Sequence, residues 1–157
     1  MAHLEQSAVQ ARIEHILERM NGDLADSVFG MMAPRFHSLD LTRNELTLAF
    51  PGQHWERNGS GAVHGGIVGA MFDTAMGTLT YAITGSLTPT INLSVSYPRP
   101  APLDGTLLVK VLITKLGRSV ISVSGEICDT RAPKKVVCTA SGTFRSFDEE
   151  HKREDFA

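Results

Sequence analysis

Cysteine is scarce in this chain: its 157 residues hold two, Cys128 and Cys138, with no Cys-x-x-Cys or Cys/His spacing around them. That leaves little support for a zinc site, any other metal or a redox pair. Two lone thiols fit a reducing compartment, and a cytoplasmic location is expected. An excess of either charge is also missing, since 15 Lys and Arg stand against 17 Asp and Glu for a formal net charge of -2. Such a balance gives no basic footprint for a nucleic-acid partner. The opening MAHLEQSAVQARIEH is too charged for a secretory signal. No long uninterrupted apolar run exists either. The longest candidate, from about Ala62 to Ile83, is broken by His64, Asp73 and several Thr and Gly residues, so a core helix is expected there and no membrane span. Repeats and linkers are absent, and 157 residues at 42% hydrophobic fit one globular domain over 1–157.

What is present is well patterned. Val9, Ile13, Ile16, Leu17 and Met20 recur at helical spacing among charges, which predicts an amphipathic helix over about 5–20, ended by Asn21-Gly22. After a loop rich in Gly, Met and Pro, HSLDL and RNELTLAF read as two strands joined at Thr42-Arg43-Asn44, with Leu46, Leu48 and Phe50 on one face. A polar, glycine-rich loop, 52–61, runs into the long helix, which begins near His64 or Gly65 and stops at Thr84-Gly85-Ser86. Four strands follow. The first is predicted to be half-buried, with Ile91, Leu93, Val95 and Tyr97 on the face opposite Thr90, Asn92, Ser94 and Ser96. The others run over about 106–115, 121–127 and 136–147, with a turn at Gly117-Arg118 and a flexible tail over 148–157. Strands before and after one apolar helix imply an α+β fold: a curved antiparallel sheet of five to six strands wrapped around that helix, the core spanning about 35–147.

The helix VHGGIVGAMFDTAMG carries one carboxylate and several glycines. Glycine costs roughly 1 kcal/mol per residue in a helix relative to alanine, so Gly65, Gly66, Gly69 and Gly77 need a reason, and close backbone approach is the expected one. Gly65 and Gly66 fall in the first turn, where N–H groups lack helical partners and the dipole is positive. Such a turn can receive a carbonyl oxygen that becomes an oxyanion. Asp73 lies about 12 Å farther along the axis at 1.5 Å per residue. If both act on one carbonyl, the second must come from another copy of the chain, so at least a homodimer is required. Taken singly, each residue also has a structural reading: Asp73 held by a neighbouring hydroxyl, His64 as a cap, the glycines as packing devices. Their joint placement behind a loop carrying Asn58 favours chemistry.

Asn58-Gly59-Ser60-Gly61-Ala62-Val63-His64-Gly65-Gly66 followed by Asp73 resembles the signature of hotdog-fold acyl-CoA thioesterases of the phenylacetic-acid-degradation (PaaI-like) type, and the likeness extends over roughly residues 40–147. The resemblance implies that Asp73 is the nucleophile or the general base that activates water. It implies that the Gly65 N–H binds the thioester oxygen while His64 fixes the turn. Asn58 would orient water or the substrate carbonyl, and Thr90 would assist the water. Gly66, Arg99 and Arg118 are the candidate substrate-binding positions, the two arginines for the phosphates of CoA. A thioester is already activated, so a carboxylate, an oxyanion donor and a placed water are sufficient, and no cofactor is implied. Family analogy implies a homo-oligomer, commonly a tetramer. Two other readings compete: an acyl-CoA-binding sensor of the same fold, and a hydratase or dehydratase, whose usual placement of acid and histidine is not found. Trp55 is open to lining an acyl pocket or packing on its own domain. Met71, Phe72, Met76 and Tyr81 are candidates for the pocket wall.

Overall fold

The computed structural model describes residues 5–146. The tail expected over 148–157 lies outside them. In chain order the elements are α1 (Gln6–Asn21), α2 (Val28–Met31), β1 (Arg35–Asp40), β2 (Glu45–Pro51), α3 (Gly65–Thr84), β3 (Thr90–Ser96), β4 (Thr106–Leu116), β5 (Val120–Asp129) and β6 (Ala132–Arg145), with a short 3-10 turn at His54–Glu56 before α3. The six strands form one sheet in the order β1-β2-β4-β5-β6-β3, every neighbouring pair antiparallel. The sheet curves around α3 as a hotdog fold, and β1 and β3 are its edges.

Alternation builds the wall that meets the helix. Leu46, Leu48 and Phe50 of β2, Leu107, Val109 and Val111 of β4, and Ile121, Val123 and Ile127 of β5 are all buried. Polar and half-exposed residues occupy the intervening places on β4 and β5. At the middle of β5 and β6 the wall is hollowed by two glycines. A Cβ on Gly125 would stand 3.0 Å from the Phe72 ring, and one on Gly142 3.0 Å from the Met76 sulfur. The missing side chains let α3 settle into the sheet, with Met71, Phe72, Ala75, Met76 and Leu79 fully buried.

Helix α1 buries Val9, Ile13, Ile16, Leu17 and Met20 against α3 and β1, as its spacing predicts. It also finishes the long helix. Gly85 ends α3 in the left-handed conformation at φ 66°, its N–H donating to Tyr81 O at 2.7 Å. The Arg12 guanidinium lies beside it and donates to the Ala82 carbonyl at 3.0 Å, a cation placed on the helix's negative end. Helix α2 and the 3-10 turn fall in stretches read as loop. Each is too short to have a period, and contacts between distant segments hold them. Gly30 lets α2 sit on the end of α1, where any Cβ would strike the Met20 and Leu24 carbonyls. Trp55 Nε1 donates to Met31 O at 3.1 Å.

One strand departs from expectation. Leu93 and Val95 of β3 are half-buried as predicted, but Ile91 and Tyr97 are 55% and 51% exposed. The register of β3 on β6 shifts between Thr90 and Asn92, and nothing among the described residues pairs with the strand's other edge. An irregular edge strand cannot bury a whole face.

Candidate active site

The loop before α3 is tied down by its own polar groups. Gln53 N–H donates to the Glu56 carboxylate at 3.1 Å, and Arg57 bridges to Val63. Asn58 Oδ1 accepts three hydrogen bonds, from Ser60 N at 2.9 Å, Ser60 Oγ at 2.8 Å and Ala62 N at 3.0 Å. Gly61 at φ 87° completes the turn. Asn58 is therefore first a loop staple. Its amide oxygen is committed inside the loop, and only its NH2 is left for a ligand.

This loop delivers the first turn of α3 with its amides sorted. His64 N–H donates to Glu56 O at 2.7 Å, and Gly66 N–H donates to His64 Nδ1 at 3.0 Å. Ile67 N–H donates back to His64 O at 2.9 Å. The Gly65 N–H alone of these first-turn amides has no partner among the described residues. His64 caps the helix through its ring, as the sequence reading allowed, and the bond to Nδ1 leaves the proton on Nε2. The Gly66 N–H, next to that of Gly65, is taken up by His64. Tyr97 was not anticipated. Its hydroxyl donates to Gly65 O at 2.8 Å, and its ring lies where a Cβ on Gly65 would touch it at 3.5 Å. Partial burial raises the Tyr97 phenol above its ordinary value, with a smaller contribution from Cys138. The alternation placed Tyr97 on a core face, and only the fold brings it to the helix terminus.

Two turns farther along, Asp73 is half-buried and Asp73 Oδ1 accepts from Thr90 Oγ1 at 2.6 Å. The pair joins the helix to the start of β3. Both residues open on an apolar cleft of about 240 Å³ that runs under α1 and α2 to Ile16, Met20 and Phe29. Tyr81 lines this cleft, whereas Met71, Phe72 and Met76 are core. Trp55 packs on its own domain. Thr74 and Thr78 also line the cleft, and their buried hydroxyl oxygens have no partner.

Glu56, beneath the loop, is fully buried with one carboxyl oxygen unpartnered, and burial raises its pKa. The two candidate arginines stand apart. Arg99 donates to Val136 O at 2.8 Å, close to the β5–β6 turn and the Gly65 end of the fold. Arg118 is exposed in the β4–β5 turn, at the Asp73 end, where Ser146 N–H meets Ser119 O and β6 carries Phe144 beside Thr90. The length of β5 separates them by roughly 30 Å at about 3.3 Å per residue, so one chain cannot bring both to one phosphate. Among the described residues no group of three or more His, Cys, Asp or Glu could hold a metal ion.

The six-stranded antiparallel sheet around one long helix is a hotdog fold. Residues 60–134 match the family model described as the Thioesterase superfamily. The acyl-coenzyme A thioesterase THEM4 of Bos taurus is 29% identical over 103 residues, a match covering 64% of this chain and 40% of that relative's length. A phenylacetic acid degradation-related protein of Ralstonia eutropha JMP134 superposes with a TM-score of 0.71 at 27% identity, covering 85% of this chain and 98% of that one. The PaaI protein of Escherichia coli gives a TM-score of 0.73 at 16% identity, over 90% and 98% of the two chains, a likeness of fold. No helix of the described residues is long and apolar enough to cross a membrane.

Proposed function

We propose that this chain is an acyl-CoA thioesterase that releases a carboxylic acid and free CoA. The observation that carries the reading is the first turn of α3, where one amide, Gly65 N–H, is left without a partner while its neighbours are satisfied. Preorganised donors of this kind stabilise an oxyanion without reorganising. Asp73 supplies the base or the nucleophile. As a base it takes a proton from water, the water oxygen bonds to the thioester carbon, the carbonyl oxygen becomes the oxyanion, and C–S cleavage releases the thiolate, which takes up the proton. As a nucleophile its carboxylate oxygen bonds to the thioester carbon, C–S cleavage expels the CoA thiolate, and water opens the mixed anhydride to the free acid and regenerates the carboxylate, one water proton going to the thiolate. Thr90 orients the carboxylate by occupying Oδ1, and His64 and Tyr97 hold the Gly65 peptide from its two sides. Asn58 serves the site through its NH2, since its Oδ1 is taken up within the loop.

Asp73 and Gly65 ride one unbroken helix about 12 Å apart, so the working site pairs Asp73 of one protomer with Gly65 of another. Supporting this, a Cβ on Gly69 would meet none of the described residues within 4 Å, which leaves that part of α3 bare for a second copy. The minimal unit is a homodimer, with a tetramer as the family-like assembly. In such an assembly Arg118 of one protomer and Arg99 of another are the candidate contacts for the CoA phosphates.

The test is hydrolysis of aryl-acetyl, benzoyl and fatty acyl-CoA thioesters by wild type, Asp73→Asn and Asp73→Ala. The carboxylate variants are expected to lose about 10²–10⁴ in kcat with fold and CoA-ester binding kept. A wild type that binds CoA esters and hydrolyses none would make the chain a sensor.

A further inference from the structure

The cleft beside Asp73 is closed by parts of the chain that lie outside the motif-bearing loop and helix. Its far wall is Ile16 and Met20 of α1, 5% and 6% exposed, and its rim is Phe29 of α2. The placement of Phe29 is built in. Gly30 seats α2 on the end of α1, and the Trp55–Met31 hydrogen bond holds α2 from the other side. Gly77 lines the same cleft one turn beyond Asp73, on the same face of α3. Nothing in its own chain lies within 4 Å of a Cβ there, so packing within the chain does not demand glycine. A residue that costs a helix roughly 1 kcal/mol keeps this stretch of the cleft open.

Resting on the thioesterase reading, we infer that this cleft is the acyl subsite, with Gly77, Met20 and Phe29 as the residues that set the size of the acyl group. The magnitude selects a class. An apolar cavity of about 150 Å³ takes up benzene, and the cleft here is about 240 Å³. It therefore accommodates one ring on a short linker or a medium-length chain, and a sixteen-carbon chain overfills it. The walls are predominantly hydrocarbon, which suits an uncharged acyl group.

The test measures kcat/KM for acetyl-, hexanoyl-, phenylacetyl- and palmitoyl-CoA in wild type, Gly77→Ala, Gly77→Val and Phe29→Ala. Wild type is expected to prefer hexanoyl or phenylacetyl over palmitoyl by at least about tenfold, the scale of a misfit methylene in an apolar pocket. Gly77→Val lowers the two middle substrates by at least about tenfold while acetyl changes little, with Gly77→Ala intermediate. Phe29→Ala narrows the gap to palmitoyl. Equal loss on every ester in Gly77→Val, or a wild type that prefers palmitoyl, overturns the assignment of the cleft. Absence of turnover on every ester instead overturns the hydrolase reading. The same size ladder is then read in the calorimetric affinities of the four esters, where a ladder unmoved by Gly77→Val overturns the inference and a ladder shifted toward acetyl supports it.

Discussion

Gly65 allows an unusually clean deletion. It is the first helical residue of α3, His64 before it is extended at φ -60° and ψ 135°, and the N–H has no partner among the described residues. Proline is well accommodated at a first helical position, and an extended residue before it is favoured. Gly65→Pro should therefore remove one donor and leave the helix in place, with an unchanged circular dichroism spectrum and a loss of about 10²–10³ in kcat. Glu56 tests burial instead. Its folded pKa lies above the ordinary value of 4.5, so the folded chain holds this proton more tightly than the unfolded chain. The resulting stabilisation is complete below that ordinary value and is lost as pH rises through the raised one. Urea midpoints of wild type should thus fall relative to Glu56→Gln as pH goes from 4.5 toward 8, whereas a constant difference would contradict the buried acid. At this scale motif spacing along one helix and its cap singled out His64, Gly65 and Asp73, and the resemblance added Thr90 at the start of β3. Which atoms of Gly66 and Asn58 are free was not legible, because hydrogen bonds within the turn decide it. Tyr97 and Phe29 were missed because segments far apart in the chain place them.

Helix α3 offers opposite outcomes for one substitution type. Thr80 Oγ1 lies 2.6 Å from Thr88 Oγ1 and donates to Gly77 O at 3.1 Å, all in the interior. Thr80→Val strands the Thr88 hydroxyl and should cost about 1–3 kcal/mol in denaturant unfolding. Thr78 lacks any such partner, so Thr78→Val should leave stability unchanged or raise it by about 1 kcal/mol. A like loss in both would mean that Thr78 has a partner after all. The boundaries of α3 were readable from its opening glycines and the Gly85 stop, and those of α1 from its apolar period. Helix α2 was not, since four residues have no period and its position depends on Gly30 and Trp55. The alternation of β3 was legible, but which of its residues are covered depends on its place at the sheet's edge.

In the whole molecule, the proposed division of the site between chains predicts complementation. Asp73→Ala and Gly65→Pro proteins are each inactive in both sites of their own dimer. Co-refolded in equal amounts, they form mixed dimers in which one site receives the intact carboxylate and the intact amide. About one quarter of wild-type activity should return from random pairing, and a mixture no more active than its components would place both groups on one chain. The six-stranded frame and its single central helix could be read from element order, whereas the pairing order could not, because β3 returns to the far edge beside β6.

The bare patch that Gly125 and Gly142 leave in the sheet bears on every site at once. In the proposed mechanism carboxylate and oxyanion donor share a single rod, so a methyl group added at Gly125, where the Phe72 ring is 3.0 Å away, cannot alter their mutual spacing. If it lifts α3, it carries both reactive groups off their seat together, detuning two neighbouring centres by the same small translation. Turnover would then be governed from the floor of the fold by residues that never meet a substrate.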